Sequence, residues 1–331
     1  MNKDHPKINF GKTGVLLINL GTPDSTSWWD IRKYLKEFLS DKRVIEVNPI
    51  LWKIILNLFI LNLRPSKTAK AYKEIWMKEE DMSPLRYYTI KQAEKLSAEI
   101  GSEKLLIDFA MRYGNPSIKN KIKELHDNGC ENLIVLPLYP QYAAATTATV
   151  CDEVYRSLMQ MRWQPNLQII PHYESEPLYI DALVNSLIKK IEEISWKPDL
   201  IIASYHGIPK KYFEKGDPYH CYCMKTTRLI SEKFKQIPIK TTFQSRFGPQ
   251  EWLKPYTDKT LEELPKDGKK NILVICPGFA SDCVETLEEI SIQGKESFLK
   301  SGGSKFDVVP CLNDNKDQIN LIKHLVEKYY L

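Results

Sequence analysis

Three stretches of this sequence combine residue types that can do chemistry with the turn residues that end a strand. Ala203-Ser204-Tyr205-His206-Gly207-Ile208-Pro209 sets a histidine just before a Gly-x-Pro turn. Neutral imidazole accepts a proton or binds a metal near pH 7, so His206 suits a general base or a metal ligand. Cys276-Pro277-Gly278-Phe279-Ala280-Ser281-Asp282-Cys283-Val284-Glu285 passes through a Pro-Gly break into a helix that Ser281 or Asp282 can cap. On an α-helix Asp282, Glu285 and Glu289 would share one face. Carboxylates crowded into a cleft repel one another and their pKa values rise, which readies them to accept protons or hold a cation. On open surface the same row is only a solvated acidic face, and a strand-end histidine is only a structural hydrogen-bonding residue. The third stretch, Phe243-Gln244-Ser245-Arg246-Phe247-Gly248-Pro249 followed by Trp252, offers polar and aromatic side chains for lining a pocket.

Strands must carry these loops. Val15–Asn19, Leu105–Arg112 and Leu133–Leu138 read as buried strands. So do Leu167–Pro171, Leu200–Ser204, Thr241–Phe243, Ile272–Ile275 and Phe306–Val309. Helical patterns lie between them at 28–39, 177–194, 222–236, 283–300 and 315–329. Asn115-Pro116 starts a further helix and Asn128-Gly129 stops it. Strand–helix alternation of this kind builds parallel sheets, here two doubly wound α/β halves joined near 150–165. Ligands in such folds sit beyond the carboxyl ends of the strands, where the three loops lie. The first strand end, Asn19-Leu20-Gly21-Thr22-Pro23, lacks the G-x-G-x-x-G of a dinucleotide site, and neither a Walker loop nor H-E-x-x-H occurs.

Composition narrows the class. The 331 residues predict about two domains. The 47 Lys and Arg against 42 Asp and Glu leave a charge of +5, too dilute to argue for nucleic acid. Seven cysteines give an odd count, and polar Met1–Thr13 shows no signal peptide, so a reducing compartment, the cytoplasm, is expected. One segment breaks the α/β grammar. Residues 50–63 read ILWKIILNLFILNL, polar only at Lys53, Asn57 and Asn62. That is short of the roughly 20 apolar residues of a membrane span. It is either a core helix or an exposed lip that touches a membrane or a large apolar ligand.

Taken in order, the motifs resemble the ferrochelatase family, the class II chelatases that insert ferrous iron into protoporphyrin. The resemblance runs from Val15-Leu-Leu-Ile-Asn-Leu-Gly-Thr-Pro-Asp24 to the last helix. It includes Arg64-Pro65, Ser83-Pro84-Leu85, Met111-Arg112-Tyr113, Leu138-Tyr-Pro-Gln-Tyr142 with Thr146-Thr147, Gly216-Asp-Pro-Tyr219 and Phe243-Gln-Ser-Arg246. The pair that carries it is His206 of Ser204-Tyr-His-Gly207 with Glu285 of Ser281-Asp-Cys-Val-Glu285.

The resemblance implies two similar Rossmann-like domains, 1–155 and 156–312, with the porphyrin cleft between them. A helix over 313–331 would return to the first domain, and an apolar lip would span about 48–64. It implies His206 and Glu285 as catalytic residues, with His206, Glu285, Asp282 and Glu289 as the metal-handling set. Gln293 stands where some members continue the acidic row. Leu20, Ser83, Arg112, Tyr113, Trp252 and Phe279 would contact porphyrin, with Arg112 pairing to a propionate. The substrates would be protoporphyrin IX and ferrous iron, with a coproporphyrin enzyme and a non-catalytic porphyrin carrier as the alternatives. No tightly bound cofactor is expected. Tyr142–Thr146 lacks the cysteine that some members use for an iron–sulfur cluster. Cys283 would be a small spacer or a thiolate ligand, and Cys221 and Cys223 have no assigned role. Residues 50–63 would meet a membrane surface, which makes the protein cytoplasmic and peripheral on the inner membrane face.

Overall fold

The computed structural model describes residues 10–330, so most of the polar stretch Met1–Thr13 lies outside the described residues. Two four-stranded parallel sheets form the frame. The first runs in the order β2-β1-β3-β4, with β1 Lys12–Thr22, β2 Leu105–Gly114, β3 Cys130–Pro137 and β4 Asn166–Ile169. The second runs β6-β5-β7-β8, with β5 Leu200–His206, β6 Ile239–Gln244, β7 Asn271–Ile275 and β8 Lys305–Val308. Each half therefore repeats one topology, as two doubly wound parallel sheets require. Because β4 pairs with β3, a division at 155/156 would cut the first sheet before its last strand. A division after Ile169 keeps both sheets whole.

The central strands are covered on both faces, which is why they read as unbroken apolar runs. Val15, Leu16, Leu17 and Ile18 of β1 are fully buried, as are Ile201, Ile202 and Ala203 of β5. One hydrophobic cluster runs through both halves, joining Val15, Leu17 and Leu136 to Ala203, Leu273 and Ile275. Helix Lys316–Tyr330 packs on helices Pro84–Ile100 and Pro177–Glu193 and on β3, so the chain's end returns to the first sheet. Close approach of strand ends fixes Gly21. Its φ is +115°, and a Cβ there would lie 1.8 Å from the Tyr113 carbonyl oxygen.

The apolar segment is a lip. Helix Pro49–Ile55, a π-helical turn Leu56–Ile60 and helix Leu61–Ile75 follow one another without a break. Ile50, Leu51, Ile54, Leu58, Phe59 and Leu63 are exposed, whereas Leu56 and Leu61 are buried. The indole nitrogen of Trp52 donates to Leu39 O (2.7 Å) and ties the lip to helix Trp28–Leu39. Among the described residues no helix is long and apolar enough to cross a membrane.

Candidate active site

The carboxyl ends of β5, β6 and β7 converge. β5 delivers His206, whose Nδ1 lies 2.6 Å from Gly207 O. A carbonyl only accepts, so this bond puts the neutral ring's proton on Nδ1 and leaves a lone pair on Nε2. β6 delivers Gln244 and Ser245. The Gln244 amide accepts from Ser204 Oγ (2.6 Å) and donates from Nε2 to Glu285 O (2.8 Å). A fully buried amide thus holds the backbone that carries Glu285. Ser245, at φ +64°, donates its N–H to Glu289 Oε1 (2.7 Å) and its hydroxyl to Glu289 Oε2.

Glu285–Gly294 is π-helical, a geometry that often marks functional sites. Burial is the main cause that pushes the Glu289 carboxyl above its ordinary range, and Glu285 adds to it. Ser245 and His206 pull in the other direction.

His206, Ser245, Trp252, Glu285, Glu288 and Glu289 line one side of a cavity of about 510 Å³. The first half lines it mostly with apolar and aromatic side chains, among them Tyr34, Phe38, Leu39, Leu51, Trp52 and Tyr72. The Tyr34 hydroxyl donates to Gly21 O (3.3 Å), and burial raises the pKa of both Tyr34 and Tyr72, which keeps the two phenols neutral. Arg64 enters from the same half, its guanidinium carbon 4.0 Å from the centre of the Phe247 ring, and burial lowers its pKa. At the mouth the Tyr212 hydroxyl accepts from Glu46 N–H (3.0 Å) and donates to Val44 O (3.1 Å), clasping the two halves together. Glu289 also borders a second cavity of about 320 Å³ that mixes polar Gln244, Arg246, Asp258 and Gln293 with apolar Phe243, Leu261 and Ile290. Glu289 and Ser245 face both.

This geometry sits on a chain with many relatives. The ferrochelatase family model matches residues 12–330. The ferrochelatase of Allorhizobium ampelinum is 54% identical over 98% of this chain and 95% of its own length. That of Rhizobium meliloti is 53% identical over 99% and 97%. This chain belongs to the ferrochelatase family. Among solved structures, SirB from Bacillus subtilis with Fe3+ superposes with a TM-score of 0.59 at 12% identity, covering 96% of this chain and 95% of that one. The sirohydrochlorin chelatase SirB from Bacillus subtilis subspecies spizizenii in complex with cobalt gives 0.57 at 9%, covering 96% and 94%. At such identities these two speak for the fold alone.

Not every residue expected in the ferrochelatase site faces the cavity. Arg112 is buried in an ion pair with Asp41, donates from Nε to Thr149 O (2.8 Å) and lies over the Tyr113 ring. The Tyr113 hydroxyl donates to the same Asp41 (2.9 Å). A guanidinium already neutralised this way is not free for a propionate, and neither side chain lines the cavity. Ser83 is the buried N-cap of helix Pro84–Ile100, its hydroxyl accepting from Arg86 N–H. Leu20 packs against the first-half core. Phe279 packs with Leu85, Met111 and Cys283.

Asp282 does not join Glu285 and Glu289 in the cavity. It precedes the first helical residue and both its oxygens are taken, by Thr286 Oγ1 (2.9 Å) and Asn313 Nδ2 (2.7 Å). Of the four residues expected to handle metal, His206, Glu285 and Glu289 line the cavity and Asp282 does not; among the described residues no three His, Cys, Asp or Glu side chains form a metal-holding group. Cys283 is buried and its thiol pKa is pushed well up, which suits a spacer better than a thiolate. Cys221 is exposed and Cys223 buried, both free. Tyr34, Trp52, Arg64 and Tyr72 were not expected in the site. Trp52 lies in the apolar 50–63 segment and Arg64 in Arg64-Pro65, whereas neither Tyr34 nor Tyr72 belongs to a motif.

Proposed function

We propose that this chain inserts ferrous iron into protoporphyrin IX, with His206 and Glu285 as its catalytic residues. Iron insertion into a porphyrin, in heme synthesis, follows from membership of the family. The observation that supports the site is the shared cavity: His206, Glu285 and Glu289 line it together with a large set of apolar and aromatic side chains.

Insertion needs two pyrrolic protons to leave and the nitrogen lone pairs to tilt out of the ring plane. Apolar and aromatic walls can bind such a distorted macrocycle better than a flat one, which lowers the barrier. His206 Nε2, with Nδ1–H engaged by Gly207 O, accepts a pyrrolic proton. Glu285 delivers the metal or relays the second proton, and Glu289, which borders both cavities, continues the route into the second. The step balances as porphyrin plus Fe²⁺ giving heme and two protons. Iron is a substrate in transit, and the chain needs no resident cofactor and no iron–sulfur cluster.

Arg64 supports the choice of porphyrin. It has no ion pair among the described residues and reaches the cavity over Phe247, so it suits one propionate carboxylate. A single free guanidinium beside an apolar lip fits the two carboxylates of protoporphyrin better than the four of coproporphyrin. Residues 50–63, with their exposed Ile, Leu and Phe, support a peripheral hold on a membrane surface by a cytoplasmic protein.

The test is anaerobic ferrous insertion followed by visible absorbance, with both porphyrins offered side by side. Preference for protoporphyrin is expected. Preference for coproporphyrin would keep the mechanism and overturn the substrate, and binding without insertion of either would make the chain a carrier.

A further inference from the structure

Next to the segment that bears Glu285, one of the contacts between the two halves of the molecule is made at an asparagine. Asn313 follows β8 and has φ +51°, a left-handed conformation uncommon for a residue with a side chain. Four hydrogen bonds hold it there. Its N–H donates to Ala280 O (3.0 Å), and its Oδ1 accepts from Asp282 N–H (2.8 Å). Its Nδ2 donates to Asp282 Oδ2 (2.7 Å), and its backbone oxygen accepts from Gln92 Nε2 (2.5 Å). Asn313 and Asp282 are thus paired in both directions.

The chain of contacts continues toward the site. The Thr286 hydroxyl donates to Asp282 Oδ1 (2.9 Å), and Thr286 Oγ1 accepts from Cys283 N–H (3.0 Å). The first turn of the segment that bears Glu285 is therefore pinned from residue 282 to residue 286.

Gln92 supplies the link to the first half. It belongs to helix Pro84–Ile100, which packs on β1 and β2, and it is fully buried. Its Nε2 faces three acceptors of the second half: Ala280 O (3.3 Å), Ser281 Oγ (3.2 Å) and Asn313 O. Two carbonyls among them fix which way the amide points, because the opposite orientation would set oxygen against oxygen. Its Oε1 is left buried without a partner. A left-handed asparagine and an orphaned buried acceptor in one junction are the kind of strain that proteins retain where geometry matters to function.

We propose that Gln92, Asn313 and Asp282 form a positioning junction that fixes Glu285 relative to the first-half lining of the cavity; this rests on the reading of Glu285 as catalytic. Asp282 acts here through hydrogen bonds and not as a metal ligand. Gln92 makes the placement of the carboxylate row depend on the first half, which also lines the cavity.

The test uses the full chain, with kcat and KM for anaerobic ferrous insertion, porphyrin affinity by fluorescence, and a thermal melt for each variant. Asn313→Gly keeps the backbone conformation and removes only the side-chain bonds. It should lower kcat by about 10²-fold, the scale of a misplacement near 1 Å, with porphyrin KM and affinity held. Asn313→Asp should do the same by setting a carboxylate against Asp282. Combining Asn313→Asp with Asp282→Asn puts a donor back opposite an acceptor and should restore most of kcat, which a metal-ligand role for Asp282 would not allow. Should Asn313→Gly fail to fold, Gln92→Met asks the same question from the other half, with the same split between kcat and KM expected. Parental kcat in Asn313→Gly beside an inactive Glu285→Gln overturns the junction alone. Parental kcat in both overturns the site reading beneath it. No recovery in the reciprocal double variant overturns the paired role of Asp282.

Discussion

The two halves run the same course and carry different loads. Each has a central strand, a neighbour on one side, a third strand on the other, and a π-helical turn after that third strand. In the first half this turn reads Ala144-Ala145-Thr146-Thr147-Ala148; in the second it begins Glu285-Thr286-Leu287-Glu288-Glu289. The ends of the flanking strands differ in the same sense. At the end of β2, Arg112 and Tyr113 close on Asp41, so the charges there neutralise one another inside the protein. At the end of β6, Gln244 and Ser245 hold Glu285 and Glu289 with neutral donors and leave them facing a cavity. One scaffold thus lines the cavity with mostly apolar and aromatic side chains from one half and with His206, Glu285, Glu288 and Glu289 from the other. Chemistry depends on whether a strand-end charge is satisfied internally or kept for a ligand.

The largest effects should separate the halves. His206→Ala and Glu285→Gln should each lose about 10²- to 10⁴-fold in insertion rate, the range for removing a general acid–base group. Both should still quench porphyrin fluorescence. Tyr113→Phe, at the end of β2, the first-half counterpart of β6, should stay near the parental rate. A Tyr113→Phe loss as deep as that of His206→Ala would break the comparison.

Next comes the lip, where neighbouring apolar residues should behave oppositely. Leu61 is fully buried, so Leu61→Ala should cost about 2–5 kcal/mol, read from a denaturant melt. Replacing exposed Ile54, Leu58 and Phe59 with Ser should leave the melt unchanged and reduce co-sedimentation with phospholipid vesicles. Unfolding of the triple variant would show that these side chains are needed for packing. A smaller effect is expected at Arg64. Arg64→Leu removes a charge-assisted bond to a carboxylate, so porphyrin KM should rise by about ten-fold with kcat little changed. Equal loss in kcat would move Arg64 from binding to chemistry.

Much of this was legible in the residues. All eight strands could be placed; the central ones, β1, β3, β5 and β7, read as apolar runs because interior parallel strands bury both faces. His206, Glu285 and Glu289 could be brought together because strand ends point at the cleft. Asp282 was misread because the i, i+3, i+7 spacing assumes α-helical geometry. The segment is π-helical and starts after Asp282, which turns back to Asn313. Arg112 was misread because its partner, Asp41, is 71 residues away and no local pattern announces the pair. Tyr34 and Tyr72 escaped notice for the same reason. Each reads as one more apolar-face residue of a helix, and only the packing of helices Trp28–Leu39 and Leu61–Ile75 turns them toward Glu285.

The last contrast is between activity and stability at Glu289. Its carboxyl is raised from the ordinary 4.5, mainly by burial. A raised carboxyl binds its proton more tightly in the folded state than in the unfolded one. Below pH 4.5 both states are protonated and the group is neutral to stability. As pH climbs from there through the folded-state value, the unfolded chain ionises first and stability falls; above that value the penalty is constant. Glu289→Gln removes the ionisation while keeping an amide that can still accept from Ser245 N–H. Its melting temperature should therefore exceed the parent's at pH 7–8, and the gap should close as pH approaches 4.5. Insertion should slow at the same time if Glu289 is the relay between the two cavities. Arg112 and Asp41 provide the opposite sign: Asp41→Asn should lower the melting temperature at neutral pH, because it leaves a buried guanidinium without its counter-charge. If Glu289→Gln were destabilised like Asp41→Asn, Glu289 would be a structural carboxylate like those of the first half, and the division of labour between the halves would end at Glu285.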